Sequence, residues 1–423
     1  MKIEKIVNGG QGLAHENDLT VFAWNALPGE EVEVEYLSKR KGIAEAVATK
    51  ILSASPDRIE PKEPFFLSSS PWQIVKPEAE DVLKQTIAVE IYGRNGGLIL
   101  QAEPPKIISD SANAFGYRNK IEFSFCEQDG QMSLAFFGRG TKIRHAVSGS
   151  LLAEPVINEV AARILQWVNE VKIPLRSLKS LIIRSNGADQ AIAALFIKDK
   201  LEFTRFPSTD VKLLGFHLYY STHKSPASVP TALLHSEGQD YLVADILGTK
   251  LKFGLLSFFQ INIPIFTQAV KDIAAFIGPD QPVLDFYSGV GAISLPLAKN
   301  RPRTILVESN EEAAQYAKEN IALNNITNAE VHCLPAEKMT EIIDSESTVI
   351  VDPPRAGLHD KVTLQLLNKL PPKIVYLACD LATQARDVQR LSEAYHPVFI
   401  KLYNFFPRTP HIEGLVVLER NRV

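Results

Sequence analysis

Cys379 closes the apolar run "VYLAC", and the polar segment "DLATQARDVQRL" behind it has helical spacing. A thiol at the start of a helix meets free amides and the positive end of the helix dipole, which favour the nucleophilic thiolate. A cysteine ending an apolar strand is also an ordinary small core residue, so Cys379 reads as a nucleophile only with a partner. Glu413, at the mouth of the run "GLVVLER", supplies an acid at a strand start, and His411 stands two residues before it. Thiol plus carboxylate is the minimal set for one reaction type. Addition of a thiolate to C6 of a uracil ring makes C5 nucleophilic toward a methyl donor, and a base must then remove the C5 proton so that the thiol can leave.

Two further patterns fit a methyl donor. "VLDFYSGVGAISLPLA" reads as strand, acid, glycine turn and helix, with Gly289 and Gly291 allowing tight turning and close approach of a ligand. The third glycine of the dinucleotide pattern is missing. Glu308 ends the next strand-like run, "TILVES", about 20 residues on, where a carboxylate can accept from both ribose hydroxyls. These two features suit S-adenosylmethionine and NAD equally. "VIVDPPRAGL" selects the former: Asp352 at a strand end is followed by Pro353 and Pro354, which stiffen the loop and remove amide donors. An acid with two prolines at this place is common among methyltransferases, where it holds a flat base near the donor.

These residues need a scaffold that brings strand ends together. From about residue 251 to 423, strand-like runs ("PVLDFYS", "TILVES", "NAEVHCL", "VIVDPP", "IVYLACD") alternate with amphipathic helical segments. That alternation predicts an α/β domain with a parallel sheet covered on both faces, which binds ligands beyond the carboxyl ends of its strands. Residues 1–55 alternate apolar and polar between glycines and prolines, as short strands of a small barrel do. Lys39, Arg40 and Lys41 sit at an expected hairpin turn there, either as a solvated turn or as a contact for an anion. Residues 56–250 mix strands and helices, and "PEAEDVLKQTIAVEIYGR" (helical near 78–93) is a candidate to pack on the last domain. Arg118, Lys120, Arg139, Lys142 and Arg144 fall on or beside one hairpin of this region, as a phosphate-binding surface or as an ordinary soluble face.

Composition narrows the class. Of 423 residues, 45% are hydrophobic and 22% charged, as in soluble globular proteins. No apolar run is long enough for a transmembrane helix, and the charged, glycine-broken start "MKIEKIVNGG" is unlike a secretory signal. Three cysteines make no disulfide framework, so a reducing cytoplasm is expected. A net charge of −4 leaves nucleic-acid contact to local patches.

The motifs "SFFQIN" (Ser257 to Asn262), "DFYSGVG", "VDPPRAG", "LACDLATQARD" and "FPRTPHIE" follow the order of the RNA 5-methyluridine methyltransferases, a family of tRNA and 23S ribosomal RNA enzymes. The segments "IVNGGQGLA" and "ALPGEEVEVE" resemble a TRAM domain, an OB-like β-barrel. The resemblance implies a C-terminal Rossmann-like methyltransferase domain (251–423), an N-terminal TRAM-like barrel (1–55) and a mixed α+β RNA-binding region (56–250), in a cytoplasmic monomer. It implies S-adenosylmethionine contacts from Gln260, Tyr287, Gly289, Glu308 and Asp352, a nucleophile at Cys379 and a base at Glu413. The RNA is expected to be 23S ribosomal RNA, by analogy with TRAM-bearing members, and otherwise tRNA.

The chain departs from the family at the cluster positions, at Ser288 and Ala292, where members often carry Cys and a polar residue, and at Asp380. Members often hold an iron–sulfur cluster on four cysteines. Here Glu63, Ser69, Trp72 and Ser150 stand at those positions, so no cluster is expected. Asp380 replaces the usual Asn after the nucleophile and is expected to raise the thiol pKa. Two relatives in chemistry are disfavoured. Cytosine C5 methylation uses a second cysteine after the Asp-Pro motif, and base amino-methylation an aromatic residue, but Arg355 follows Pro354. A different class stays open: an RNA-binding protein of the same fold with lost catalysis.

Overall fold

The apolar runs of the last third assemble into one eight-stranded sheet. The computed structural model describes residues 1–100, 102–225 and 228–422. The strands are β1 (Lys106–Ile108), β2 (Val283–Phe286), β3 (Thr304–Glu308), β4 (Ala329–Cys333), β5 (Thr348–Val351), β6 (Lys373–Ala378), β7 (Tyr395–Tyr403) and β8 (Glu413–Arg420), in the order β4-β3-β2-β5-β6-β8-β7-β1. Strands β2 to β6 run parallel, whereas β8 is antiparallel to both β6 and β7. The chain winds outward from β2 through β3 to β4, then returns to β5 on the other side of β2. That reversal opens a crevice at the carboxyl ends of β2 and β5.

Alternation along the strands supplies two cores. Leu284 and Phe286 face one layer and Val283 the other, while Tyr376 and Val375 divide likewise. The helices Pro77–Gly96, Asp360–Lys369 and Leu381–Leu391 cover the first face through Ile87, Val362 and Val388. Ile263–Ala274 and Glu311–Leu323 cover the second through Phe266 and Ala313. Polar side chains cap all of these helices except Pro77–Gly96: Asn310 accepts from Ala313 N, and Asp380 from Thr383 N.

Residues 77–108 lie inside the span read as the central region, yet they complete the last domain. The Pro77–Gly96 helix packs on Leu381–Leu391, where Gly96 abuts Ala385 and Tyr92 Oη donates to Gln384 Oε1 at 2.6 Å. Strand β1 extends the sheet beyond β7. Most of the rest of the central region is a seven-stranded sheet, with the Pro155–Glu170 helix packed against it through Val160 and Ile164, and Tyr241–Ile246 and Thr249–Gly254 pair as a separate hairpin.

The N-terminal strands Lys5–Ile6, Gly12–Glu16, Leu19–Trp24, Glu31–Arg40 and Ile43–Ser53 form one five-stranded sheet around Ala14, Val21, Val32 and Ala46. Its edges are joined by a Lys2–Glu31 bridge and by Val32 N donating to Met1 O at 2.9 Å. Lys41 and Gly42, both at positive φ, make the two-residue turn beside Lys39 and Arg40.

Candidate active site

Strand register brings the singled-out residues to one crevice. Phe286 pairs with Val307 and Val351, and Val351 with Tyr376. The next residues on the first three strands are Tyr287, Glu308 and Asp352, and Cys379 follows the end of β6. All four line a cavity of about 690 Å³ together with Gln260, Gly289 and Glu413.

Each wall of this cavity is held by its own contacts. Tyr287 (φ +64°), Gly289 (+55°) and Gly291 (+83°) turn the chain sharply after β2. A Cβ on Gly291 would meet Leu295 and Leu306 below 3 Å, whereas one on Gly289 would meet nothing, because that glycine faces the cavity. Glu308 accepts from Gly289 N at 2.9 Å and Asn310 N at 2.7 Å, which orients its carboxylate across the glycine turn. Gln260 is buried, and its carbonyl accepts from Asn119 Nδ2 at 2.9 Å. Behind it, the wholly buried Arg184 of the central sheet donates to Gly254 O at 3.0 Å and Phe259 O at 3.2 Å. The "SFFQIN" segment is therefore pinned by the central domain, and Gln260 Nε2 reaches Asp352 Oδ2 at 3.4 Å.

Acids crowd the cavity floor. Burial and the neighbouring Glu308 push Asp285 up to about 7, and among the described residues its carboxylate oxygens have no hydrogen-bond partner of good geometry. The half-buried Asp352 is likewise pushed up to about 7, by desolvation and the charge of Asp285.

Cys379 and Glu413 meet across two antiparallel strands. Ala378 pairs with Gly414, so the residue after the first lies opposite the residue before the second. Glu413 is 3% exposed, and its carboxyl is raised well above the usual range by burial and by Asp352, with Arg355 opposing. Burial, Glu413 and Asp352 push the Cys379 thiol up to about 11, and Arg355 pulls it down. The expectation of an easily ionised thiol at a helix start is thus corrected: desolvation and two carboxyls outweigh the helix end. The reason expected from Asp380 is corrected too. Its carboxylate accepts from Thr383 N at 2.9 Å as the helix cap, and the acids that raise the thiol are Glu413 and Asp352.

A second cavity, of about 240 Å³, also reaches Cys379. It shares Cys379 and Arg355 with the first and is also lined by Asn8, Leu381, Pro410 and His411. Desolvation and the cations Arg355, Lys84, Arg118 and Arg139 push His411 down to about 4, so the imidazole at this rim is neutral at pH 7.

The five basic candidates of the hairpin are dispersed. Lys142 and Arg144 are exposed, with Arg144 over the Phe137 ring at 5.1 Å. Arg139 instead donates to Leu67 O at 2.7 Å and lies over Trp24 at 4.2 Å, joining central and N-terminal domains. Lys120 is half-buried beside Arg184 and is pushed down to about 8, by desolvation first. Arg118 is half-buried on the His411 side.

At the four positions of the family's cluster cysteines, the side chains make bonds a cluster has no use for. Glu63 accepts from Leu151 N at 3.2 Å and from Gln73 Nε2 at 2.8 Å, and Ser69 Oγ lies 3.1 Å from Ser70 Oγ. Trp72 Nε1 donates to Gly10 O at 3.0 Å, and Ser150 Oγ accepts from Leu152 N at 3.3 Å. An acid, two hydroxyls and an indole do not fit an iron–sulfur cluster.

Sequence patterns did not single out Asn8, which lies over 370 residues from Cys379. Arg355 was noted only as unlike other chemistries; its place directly after Pro354 was the available signal.

The chain is similar to known proteins along its whole length. Residues 250–421 match the family model described as tRNA (Uracil-5-)-methyltransferase. The chain is 28% identical over 446 residues to an uncharacterized RNA methyltransferase of Clostridium tetani, covering 99% of this chain and 97% of that protein. It is 29% identical over 433 residues to one of Aquifex aeolicus, covering 99% and 98%. The crystal structure of Pyrococcus abyssi tRNA (uracil-54, C5)-methyltransferase in complex with S-adenosyl-L-homocysteine shares the fold, with a TM-score of 0.82 at 23% identity over 99% of both chains.

Proposed function

We propose that this chain, a member of the tRNA (uracil-5-)-methyltransferase family through residues 250–421, methylates C5 of a uridine in folded RNA through a transient bond between Cys379 and C6 of the base. The observation that carries the reading is the pairing of Ala378 with Gly414, which sets a thiol and a buried carboxyl opposite each other at one cavity.

S-adenosylmethionine fits the larger cavity by its donors: Glu308 for the ribose hydroxyls, Gln260, Tyr287 and Asp352 along the walls, and the bare face of Gly289 for close approach. When bound it supplies an electrophilic methyl group. The remaining work belongs to the chain. Cys379 gives up its thiol proton to solvent, Sγ adds to C6, and the C5–C6 electron pair, shared with O4 as an enolate, makes C5 nucleophilic. Once C5 carries the methyl group, the Glu413 carboxylate removes the C5 proton. The double bond re-forms and Cys379 leaves as thiolate. Burial suits Glu413 to this step, because a base with a raised pKa accepts a proton near neutral pH more readily than an exposed carboxylate. Arg355, touching both cavities, stabilises the negative charge that passes between thiol and base.

The RNA supplies the target base extruded from its fold. Exposed Lys142 and Arg144, and the N-terminal sheet in its TRAM-like role, are suited to its phosphates. Ribosomal and transfer RNA both meet this description, with 23S ribosomal RNA the first expectation. Mass mapping of 5-methyluridine in both RNAs, from cells with and without the gene, tests the target. Loss of one methylated uridine on deletion is expected; unchanged maps in both RNAs would refute the assignment.

A further inference from the structure

The smaller cavity is built from both ends of the chain. Cys379, Leu381, Pro410 and His411 come from the methyltransferase domain, whereas Asn8 and Gly9 come from a turn of the N-terminal sheet. That turn is closed by Gly10 N donating to Val7 O at 2.9 Å and Val7 N to Gln11 O at 3.0 Å. Gly9 and Gly10 sit at φ +95° and +91°, a conformation that favours glycine.

The turn is fastened where it lies. Trp72, 1% exposed, donates from Nε1 to Gly10 O at 3.0 Å and from its backbone N to Arg408 O at 3.0 Å. One residue thus ties the turn to the 404–412 strap that walls the cavity. A Cβ on Gly10 would lie 2.4 Å from Pro410 Cβ and 2.9 Å from Trp72 Nε1, so only glycine lets the two segments approach this closely. The strap is itself anchored from behind. Arg408, at φ +64°, donates its N–H to Glu80 at 3.1 Å, and Lys84 Nζ binds Glu80 at 3.0 Å and Asn404 Oδ1 at 2.6 Å. Glu80, Lys84 and Arg408 are all buried. Asn8 itself is exposed toward the cavity and packs against no core cluster.

We propose that the Val7–Gly10 turn forms the outer wall of the target-base pocket and that the Asn8 carboxamide recognises the pyrimidine edge, so that the N-terminal domain selects the base as well as gripping RNA. This rests on the uridine-methylation reading. A carboxamide offers a donor and an acceptor together, matching the N3–H and O4 edge of uracil. Trp72 and Gly10 are positioning residues, which hold Asn8 at the smaller cavity that Cys379 also lines.

The test is adduct formation with 5-fluorouridine-containing RNA in the presence of S-adenosylmethionine, followed on denaturing gels at saturating RNA, alongside the RNA dissociation constant. Asn8→Ala is expected to slow adduct formation about tenfold, the scale of one lost hydrogen bond, with RNA affinity within about twofold of wild type. Gly10→Ala is expected to slow it further by lifting the turn from Pro410. Should that variant misfold, the exposed Asn8→Ala carries the test alone. An Asn8→Ala rate equal to wild type, with or without weaker RNA binding, overturns the pocket-wall role while the enzyme stands. A wild-type protein that forms no adduct overturns the methylation reading and this inference with it.

Discussion

Cys379 and Glu413 are separated by 33 residues of chain yet lie opposite each other, because β8 inserts antiparallel between β6 and β7 and pairs Gly414 with Ala378. A parallel strand in that place would have put its far end at the thiol. The inserted antiparallel strand therefore sets an acid beside the thiol at the end of β6.

This pairing separates the effects of the two residues. Cys379→Ser is expected to abolish both adduct and product. Glu413→Gln is expected to retain adduct formation on natural uridine RNA and to slow release by on the order of 10²–10⁴-fold, the range for a general base. A methylated protein–RNA adduct accumulating on denaturing gels in Glu413→Gln, and absent from the wild type at steady state, is the readout.

The thiol raised to about 11 should alkylate slowly in the apo protein at pH 8, and faster as pH rises toward that value. Removing the negative charge opposite it by Glu413→Gln lowers the thiol pKa and accelerates alkylation at pH 8. Arg355→Ala removes the opposing cation and slows it. Iodoacetamide labelling of Cys379, read by peptide mass spectrometry across pH 7–10, gives both signs.

Glu308 makes two main-chain bonds and leaves its carboxylate at the cavity. Glu308→Ala is expected to weaken S-adenosylhomocysteine binding by about 10- to 100-fold, as loss of charged hydrogen bonds costs about 1.5–3 kcal/mol. Calorimetric titration measures this directly, and unchanged affinity would remove Glu308 from the cofactor site.

Asp285 binds its proton more tightly in the folded chain, at about 7, than in the unfolded chain, at about 3.9. Its contribution to stability is therefore full below about pH 4 and is lost as pH rises toward 7. Asp352 titrates in the same direction. Asp285→Asn removes one buried charge and relieves the other, so the fall in Tm between pH 5 and pH 8 should shrink. Scanning calorimetry of both proteins at the two pH values checks the sign.

Much of the catalytic domain was legible because its information is local. Strand-helix alternation after residue 280 is read directly from apolar period, and Glu308 and Asp352 directly follow apolar runs while Glu413 opens one. The segment 77–108 was harder to place, because helical spacing in "PEAEDVLKQTIAVEIYGR" reveals an apolar face without naming the sheet that will cover it. Lys120 and Arg139 looked like surface cations, since charge in a sequence carries no record of the carbonyls and rings that will surround it.

By itself the amino-acid sequence determined the element types, the order of the motifs and the identities of a lone thiol and acid at strand ends. Only the tertiary structure decided that these two face each other, that the thiol is hard to ionise, and that a turn from the N-terminal sheet reaches the same pocket. Periodicity is a property of neighbouring residues, whereas register, desolvation and domain contact are sums over atoms distant along the chain.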